Sequence, residues 1–293
     1  MNLNELLRHN DIDPERVLVF RHRPKQRKLR KVLPWLAAEK ENIFNAYQQT
    51  QGPRVQKAME RIEGAGFIVS LIGHRAGQAV FVGLYSIDGS RLLDHREYWS
   101  INELMQLAVY DGPQFTGKND DKIRFFDLKL TSFYASWKGK LVFDWPPPEI
   151  SWWRLAHKND IVVRAVHEES LLDAEMPKWD EINFTWEELQ VLPSRWRSVL
   201  AQWRGVYFIF DESDGKGYVG SAYSKENLLG RWESYAATGH GGNRLLRKRD
   251  PNDFRFTILQ RVSPDMEADD VIRLETSWKD RLHTRKPFGL NDN

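Results

Sequence analysis

The sequence contains no cysteine. A disulfide framework, a zinc–thiolate site and a thiol nucleophile are therefore all excluded. No run approaches the ~18 apolar residues that a membrane-spanning helix needs. The segment Met1 to Asn10 is too polar for a secretory leader. A soluble, cytoplasmic protein with no membrane partner is the expectation. Bulk charge is missing too: Lys and Arg number 43 against 41 Asp and Glu, a formal net charge of +2. Affinity for nucleic acid must then come from local basic patches and not from overall charge. Internal repeats and low-complexity tracts are also lacking.

What is present is length and aromatic bulk. The 293 residues are 41% hydrophobic and include 12 Trp and 15 Phe. That is enough for two ordinary domains with largely aromatic cores. The sharpest charge run is Arg21 to Lys31, which reads either as a solvated loop or helix start or as a phosphate-contacting patch. Helical spacing (Ile43, Phe44, Tyr47; Val55, Met59, Ile62) predicts two helices between Leu36 and Gly64, broken near Gly52-Pro53. Strands are expected at Phe67–Ile72, Ala79–Tyr85, Ile123–Leu130, Lys140–Asp144 and Ile161–Val166. Ser100-Ile101-Asn102-Glu103 reads as a capping box. The result is a β-rich α+β domain, 1–192, that could close as a small barrel. The boundary is expected between Leu192 and Trp203. A second capping box, Thr185 to Glu188, and a helix capped by Ser194 would join the halves.

The second domain, 193–293, reads more cleanly. Gly205–Phe210 and Gly217–Ser221 form a hairpin around the turn Asp211–Gly215. A helix follows through Leu228, Leu229 and Trp232, and Phe254–Leu259 is a third strand. Ser263 before Pro264 reads as the cap of a final helix carrying Glu275 and Trp278. Two tyrosines on paired strands, Tyr207 and Tyr218, an arginine, Arg231, and a glutamate, Glu275, are the side chains that phosphodiester hydrolysis calls for. Water must be oriented, charge on the phosphate neutralised and the leaving oxygen stabilised. A phenol serves as base only where a cation favours its phenolate or where metal-bound water is already acidic. Arg231 or Lys225 could supply that field. A guanidinium fork matches phosphate oxygens, and one carboxylate plus waters suits Mg²⁺.

The segment Gly205 to Asn291 resembles the GIY-YIG nuclease domain. Gly205-Val206-Tyr207 and Tyr218-Val219-Gly220 look like its two signature elements, followed in order by Arg231, Tyr235, Glu275 and Asn291. The resemblance implies a small three-stranded antiparallel sheet flanked by helices. It also implies one-step hydrolysis of DNA with one divalent ion, Mg²⁺ or Mn²⁺, held by Glu275. Tyr207 or Tyr218 would act as general base and Arg231 would hold the phosphate, with Tyr235 and Asn291 completing the catalytic set. Lys225, Gly220 and His240 of the glycine-rich segment Gly239–Asn243 would lie on the substrate side. Asn293 competes with Asn291 for its place.

Each residue also has a plainer reading. The tyrosines could be packed aromatics, Arg231 a surface cation, and Glu275 the helix-face partner of Lys279, four residues on. The first domain is the expected specificity module. Phe81–Tyr85, Trp137, Trp145, Trp152 and Trp153 could stack on bases, and its outline is similar to PUA-like barrels that read modified bases. A DNA endonuclease in restriction, defence or repair is the leading expectation. A non-catalytic nucleic-acid-binding module, or a nuclease subunit active only in a complex, is the alternative. Double-strand cleavage would take a homodimer or two successive nicks.

Overall fold

A computed structural model describes residues 1–116, 121–173, 175–223 and 227–292. The chain is α+β and divides into two compact units, Met1–Ala174 and Glu175–Asn293. The first contains, in order, α1 (Leu3–His9), β1 (Val17–His22), α2 (Arg27–Glu39), α3 (Glu41–Gln49), α4 (Pro53–Glu60), β2 (Gly66–Gly73) and β3 (Gln78–Leu93). It continues with α5 (His95–Ser100), α6 (Asn102–Ala108), β4 (Ile123–Leu130), β5 (Leu141–Asp144), β6 (Trp153–Leu155) and β7 (Val163–Val166).

These seven strands form one curled sheet, half of a barrel, of order β6-β1-β2-β3-β5-β7 with β4 paired to β3. The ends of that path, β6 and β7, do not pair with each other among the described strands. The sheet is covered on both faces, which is why β1 is buried at every position. On one side Leu3, Leu6 and Leu7 of α1 join Val17, Val19, Val69, Leu71 and Phe81 in a single apolar cluster. On the other, Phe44 of α3 meets His22 and Tyr85 edge-on or tilted at 5.5 and 6.4 Å. A strand buried on both faces reads as a continuous apolar run and loses the alternation that marks a half-exposed one. The run Val17-Leu18-Val19-Phe20 is only four residues long before the charges begin. That brevity hides β1 in the sequence, and the three-residue β6 leaves even less signal.

Two expected caps belong elsewhere. Ser100 does not open a helix; its hydroxyl donates to the Glu97 carbonyl at the end of α5, and the true capping box is Asp94 with Glu97. The two helices expected between Leu36 and Gly64 are α3 and α4, with the break at Gly52-Pro53 where it was expected, and a further helix, α2, precedes them.

The second unit contains β8 (Asn183–Thr185), α7 (Trp186–Gln190), α8 (Ser194–Leu200), β9 (Arg204–Asp211), β10 (Lys216–Ala222), α9 (Asn227–Thr238), β11 (Phe254–Val262) and α10 (Ala268–Arg281). Its antiparallel sheet has four strands, ordered β10-β9-β11-β8, one more than the resemblance implies. The added strand also moves the boundary. Residues 175–192, placed with the first domain in the sequence, fold with the second unit. Phe184 of β8 sits opposite Phe256 of β11, stacks on Trp196 at 5.7 Å and meets Trp232 edge-on at 6.1 Å. Aromatic burial of this kind outweighs the linker-like polarity of the flanking sequence. Ser263 does not cap α10. Its hydroxyl bonds the Asp265 carboxylate, and the helix begins after Glu267. No helix among the described residues is long and apolar enough to cross a membrane.

The capping box at Thr185 and Glu188 is present in full, with the Thr185 hydroxyl accepting from the Glu188 amide at 3.1 Å. Thr185→Ala should therefore lower stability by about 1 kcal/mol. Urea denaturation of the two proteins, compared by midpoint at equal slope, checks this.

Candidate active site

The site grows out of the β9–β10 hairpin. Its distal turn is clamped by Arg249, whose guanidinium donates to both carboxylate oxygens of Asp214 at 2.8 Å and also to the buried Asp211. With the register so fixed, Gly220 lies opposite Tyr207 and Tyr218 opposite Ile209. Both signature glycines have a steric reason. A β-carbon at Gly205 would overlap the Gln260 carbonyl of β11, and one at Gly220 would overlap the Tyr207 hydroxyl. The Tyr207 ring can lie across β10 only because Gly220 has no side chain.

Tyr207 is fully buried. Its hydroxyl is 3.3 Å from that of Tyr235 on α9, and the rings of Tyr207, Tyr218 and Tyr235 sit 6.1 to 6.5 Å apart in a triangle. Arg231 is one turn before Tyr235 and hydrogen-bonds the Tyr207 phenol. Burial raises the Tyr207 pKa well above its ordinary value, the neighbouring Tyr218 adds to this, and the Arg231 guanidinium only partly offsets it. Tyr235 is raised for the same first reason. Both phenols therefore keep their protons at neutral pH.

Tyr218 is half-buried and opens outward. With Ser221, Tyr223, Arg231 and Glu275 it lines a cavity of about 230 Å³. That exceeds several-fold the ~30 Å³ share of one water in the liquid. Three elements supply the wall: Tyr218 and Ser221 come from β10, Arg231 from α9 and Glu275 from α10. The Glu275 carboxylate is 17% exposed. One oxygen pairs with Lys279 Nζ at 2.7 Å, and the other accepts from the Ser221 hydroxyl. The helix-face pair with Lys279 thus exists, and Glu275 faces the cavity as well.

The other expected residues divide. Asn291 is buried and lies outside the cavity wall. Its side chain accepts from the Val219 amide at 3.0 Å and donates to the Val219 carbonyl at 2.8 Å. It satisfies the outer edge of β10 as a neighbouring strand would, so it holds the hairpin in place. His240 also stays out of the wall; its Nδ1 accepts from the Gly242 amide at 3.0 Å, closing its own loop. Lys225 and Asn293 lie outside the described residues. Sequence reasoning missed Ser221 as the Glu275 partner, and Tyr223. Their only signal was adjacency to the second signature element.

The donor set is hard oxygen: one carboxylate, two phenols and a hydroxyl. Among the described residues no three His, Asp or Glu side chains gather to ligate a metal. An ion here would rest on Glu275 and waters, which fits Mg²⁺ or Mn²⁺. Each Glu275 oxygen has one partner and retains a lone pair for it.

Phenols, a guanidinium and a carboxylate thus surround one hollow, in a segment whose family match makes the chain a nuclease. Residues 204–290 match the GIY-YIG catalytic domain, so the chain carries a GIY-YIG domain. Among solved structures it is similar to the catalytic domain of the homing endonuclease I-TevI, with 28% identity over 31% of this chain and 98% of that one, at a TM-score of 0.26. A substituted form of the catalytic domain of the intron endonuclease I-TevI is 24% identical over 31% of this chain and 94% of that one, also at 0.26. No curated protein matches. The family match falls in the second unit, and the PUA-like outline of the first rests on its sequence alone.

Two outcomes are expected. Gly220→Ala forces the Tyr207 hydroxyl to move and destabilises by about 1–3 kcal/mol, measurable by chemical denaturation. Alkali should also weaken the fold. The raised phenols, Tyr207 and Tyr235 among them, stay protonated in the native state, while the unfolded chain ionises near its ordinary ~10. Their contribution is intact below that pH and is lost as pH rises above it. Denaturation midpoints from pH 8 to 11 should fall, and less steeply in Tyr207→Phe.

Proposed function

We propose that this chain is a metal-dependent DNA endonuclease that hydrolyses one phosphodiester bond per cavity, in a restriction, defence or repair setting. The observation that carries the reading is the convergence of Tyr218, Arg231 and Glu275 on one open hollow inside the GIY-YIG segment. Arg231 offers its planar donors to the phosphate oxygens and stabilises the charge that builds in the transition state. Its orientation is held from behind by the buried Tyr207 phenol, which in turn meets Tyr235.

Of the two candidate bases, Tyr218 is the one that serves. Its phenol lines the cavity, so it can orient the attacking water. Tyr207 lies in the interior with its pKa raised, unsuited to taking a proton from solvent. Glu275 would hold a divalent ion, which supplies Lewis acidity toward the leaving oxygen. Ser221 and Lys279 orient that carboxylate.

Incubation of the purified chain with plasmid and oligonucleotide DNA in Mg²⁺ or Mn²⁺ should yield nicks. Glu275→Ala should slow cleavage about 10³-fold or more while leaving the fold intact by circular dichroism. Tyr218→Phe should cost about 10²-fold or more. Tyr207→Phe, acting only through Arg231, should cost about tenfold. Cleavage by the Glu275 variant at the parent rate would refute the site, and equal losses for the two tyrosines would refute their division of labour.

A further inference from the structure

The first unit holds a second cavity, of about 520 Å³. It opens at the C-terminal end of β1, where Arg21 and His22 end the strand. The Arg21 amide there bonds the Trp152 carbonyl at 2.7 Å. Four cations line it, Arg21, Arg23, Lys25 and Arg30, against a single carboxylate, Glu149. Arg21 is buried and held by Glu149 at 3.3 Å, so its charge is fixed in place, while Arg23, which also pairs with Glu149 at 3.9 Å, Lys25 and Arg30 are exposed. Such a wall selects a polyanion.

The cations alone would suit a bare phosphate, but the rest of the wall is flat and apolar. Trp152 is 38% exposed, braced from behind by Phe20 at 5.4 Å. Tyr47 forms another part of the wall, packed edge-on against His22 at 5.1 Å. His22 is 3% exposed, and burial lowers its pKa to about 4, so the imidazole is neutral. One ring nitrogen engages Gln48, and Nε2 is buried without a hydrogen-bond partner among the described residues. A buried polar nitrogen in a cavity wall calls for a polar ligand atom.

We propose that this cavity takes one unstacked nucleotide of a DNA strand, with the base against Trp152 and Tyr47, its polar edge on His22 Nε2, and the flanking phosphates on Arg23, Lys25 and Arg30. A base still stacked in a duplex cannot enter a hollow, so the ligand is a single-stranded or extruded nucleotide. Free mononucleotides share this chemistry. The strand is the occupant because three exposed cations outnumber the one phosphate such a molecule brings. The choice of DNA rests on the nuclease reading of the second unit.

The test uses the full chain bearing Glu275→Ala, in EDTA, so that binding is read without cleavage. Single-stranded and looped oligonucleotides carrying 2-aminopurine report stacking by fluorescence, and anisotropy reports affinity against salt. Quenching of the probe is expected, with about a tenfold loss of affinity in Trp152→Ala. Arg23→Gln with Lys25→Gln, both at exposed positions, should lower the slope of log affinity against log salt by about 1.5. Unchanged affinity and probe emission in Trp152→Ala, together with an unchanged slope in the charge variant, overturns the proposal. So does tight binding of deoxyadenosine monophosphate that DNA fails to displace. Failure of the parent chain to cut any DNA, with these binding effects intact, would strike the endonuclease reading and leave the cavity's assignment standing.

Discussion

The packing of the Tyr207 ring across Gly220 is the contact on which the nuclease unit depends. It places a phenol in the interior at the crossing of β9 and β10, where it can reach Tyr235 and Arg231 of α9 at once. A buried hydroxyl must find partners, and these partners sit on the helix that carries Arg231 into the cavity wall. The interior hydrogen bond therefore sets the direction of the exterior guanidinium. Asn291 serves the same end from the opposite edge, saturating Val219 between the second tyrosine and the glycine of the motif. The hairpin is held from behind, at its turn and along its free edge, and Tyr218 and Ser221 of β10 face the cavity.

This arrangement sets the two signature tyrosines in different surroundings, a difference that spacing does not reveal. Either signature tyrosine could be the base on sequence grounds. Burial separates them, because removing a phenol from water disfavours its anion. The same logic reconciles the two readings of Glu275. It pairs with Lys279 on the helix face, yet it also borders the cavity with Ser221 bound to its other oxygen. A carboxylate with two partners is held in one orientation, with a lone pair on each oxygen left toward the cavity.

Legibility differed between the units for a physical reason. In the second, the hairpin, the glycine positions and the helix order are local features, and β9, β10, α9 and β11 fall close to where they were expected. The added strand β8 was missed because three residues carry no periodicity, and its identity depends on Phe184 meeting Trp196 and Trp232. In the first unit, strands with clear apolar runs such as β2 and β4 were found. β1 was not, since its sequence passes straight into the basic run. That run was read as one segment, either a solvated loop or helix start or a phosphate-contacting patch. It splits in the fold: Arg21 and His22 end a buried strand, and Arg27 begins a helix. Of the aromatics expected to stack on bases, Tyr85 and Trp145 are buried, and Trp152 alone of that group reaches the 520 Å³ cavity.

The sequence by itself determined the absence of thiol chemistry, the α+β class, the hairpin with its glycines, and the set of side chains able to act on a phosphodiester. These follow from residue type and short-range spacing, where steric limits are strict. Only the tertiary structure decided which tyrosine faces solvent, that Asn291 and His240 stay out of the cavity wall, where the units divide, and that a basic, aromatic hollow exists beside β1. Those depend on which distant segments exclude water from a given group. Burial of that kind comes from contacts between residues far apart in the chain, and no local pattern encodes it.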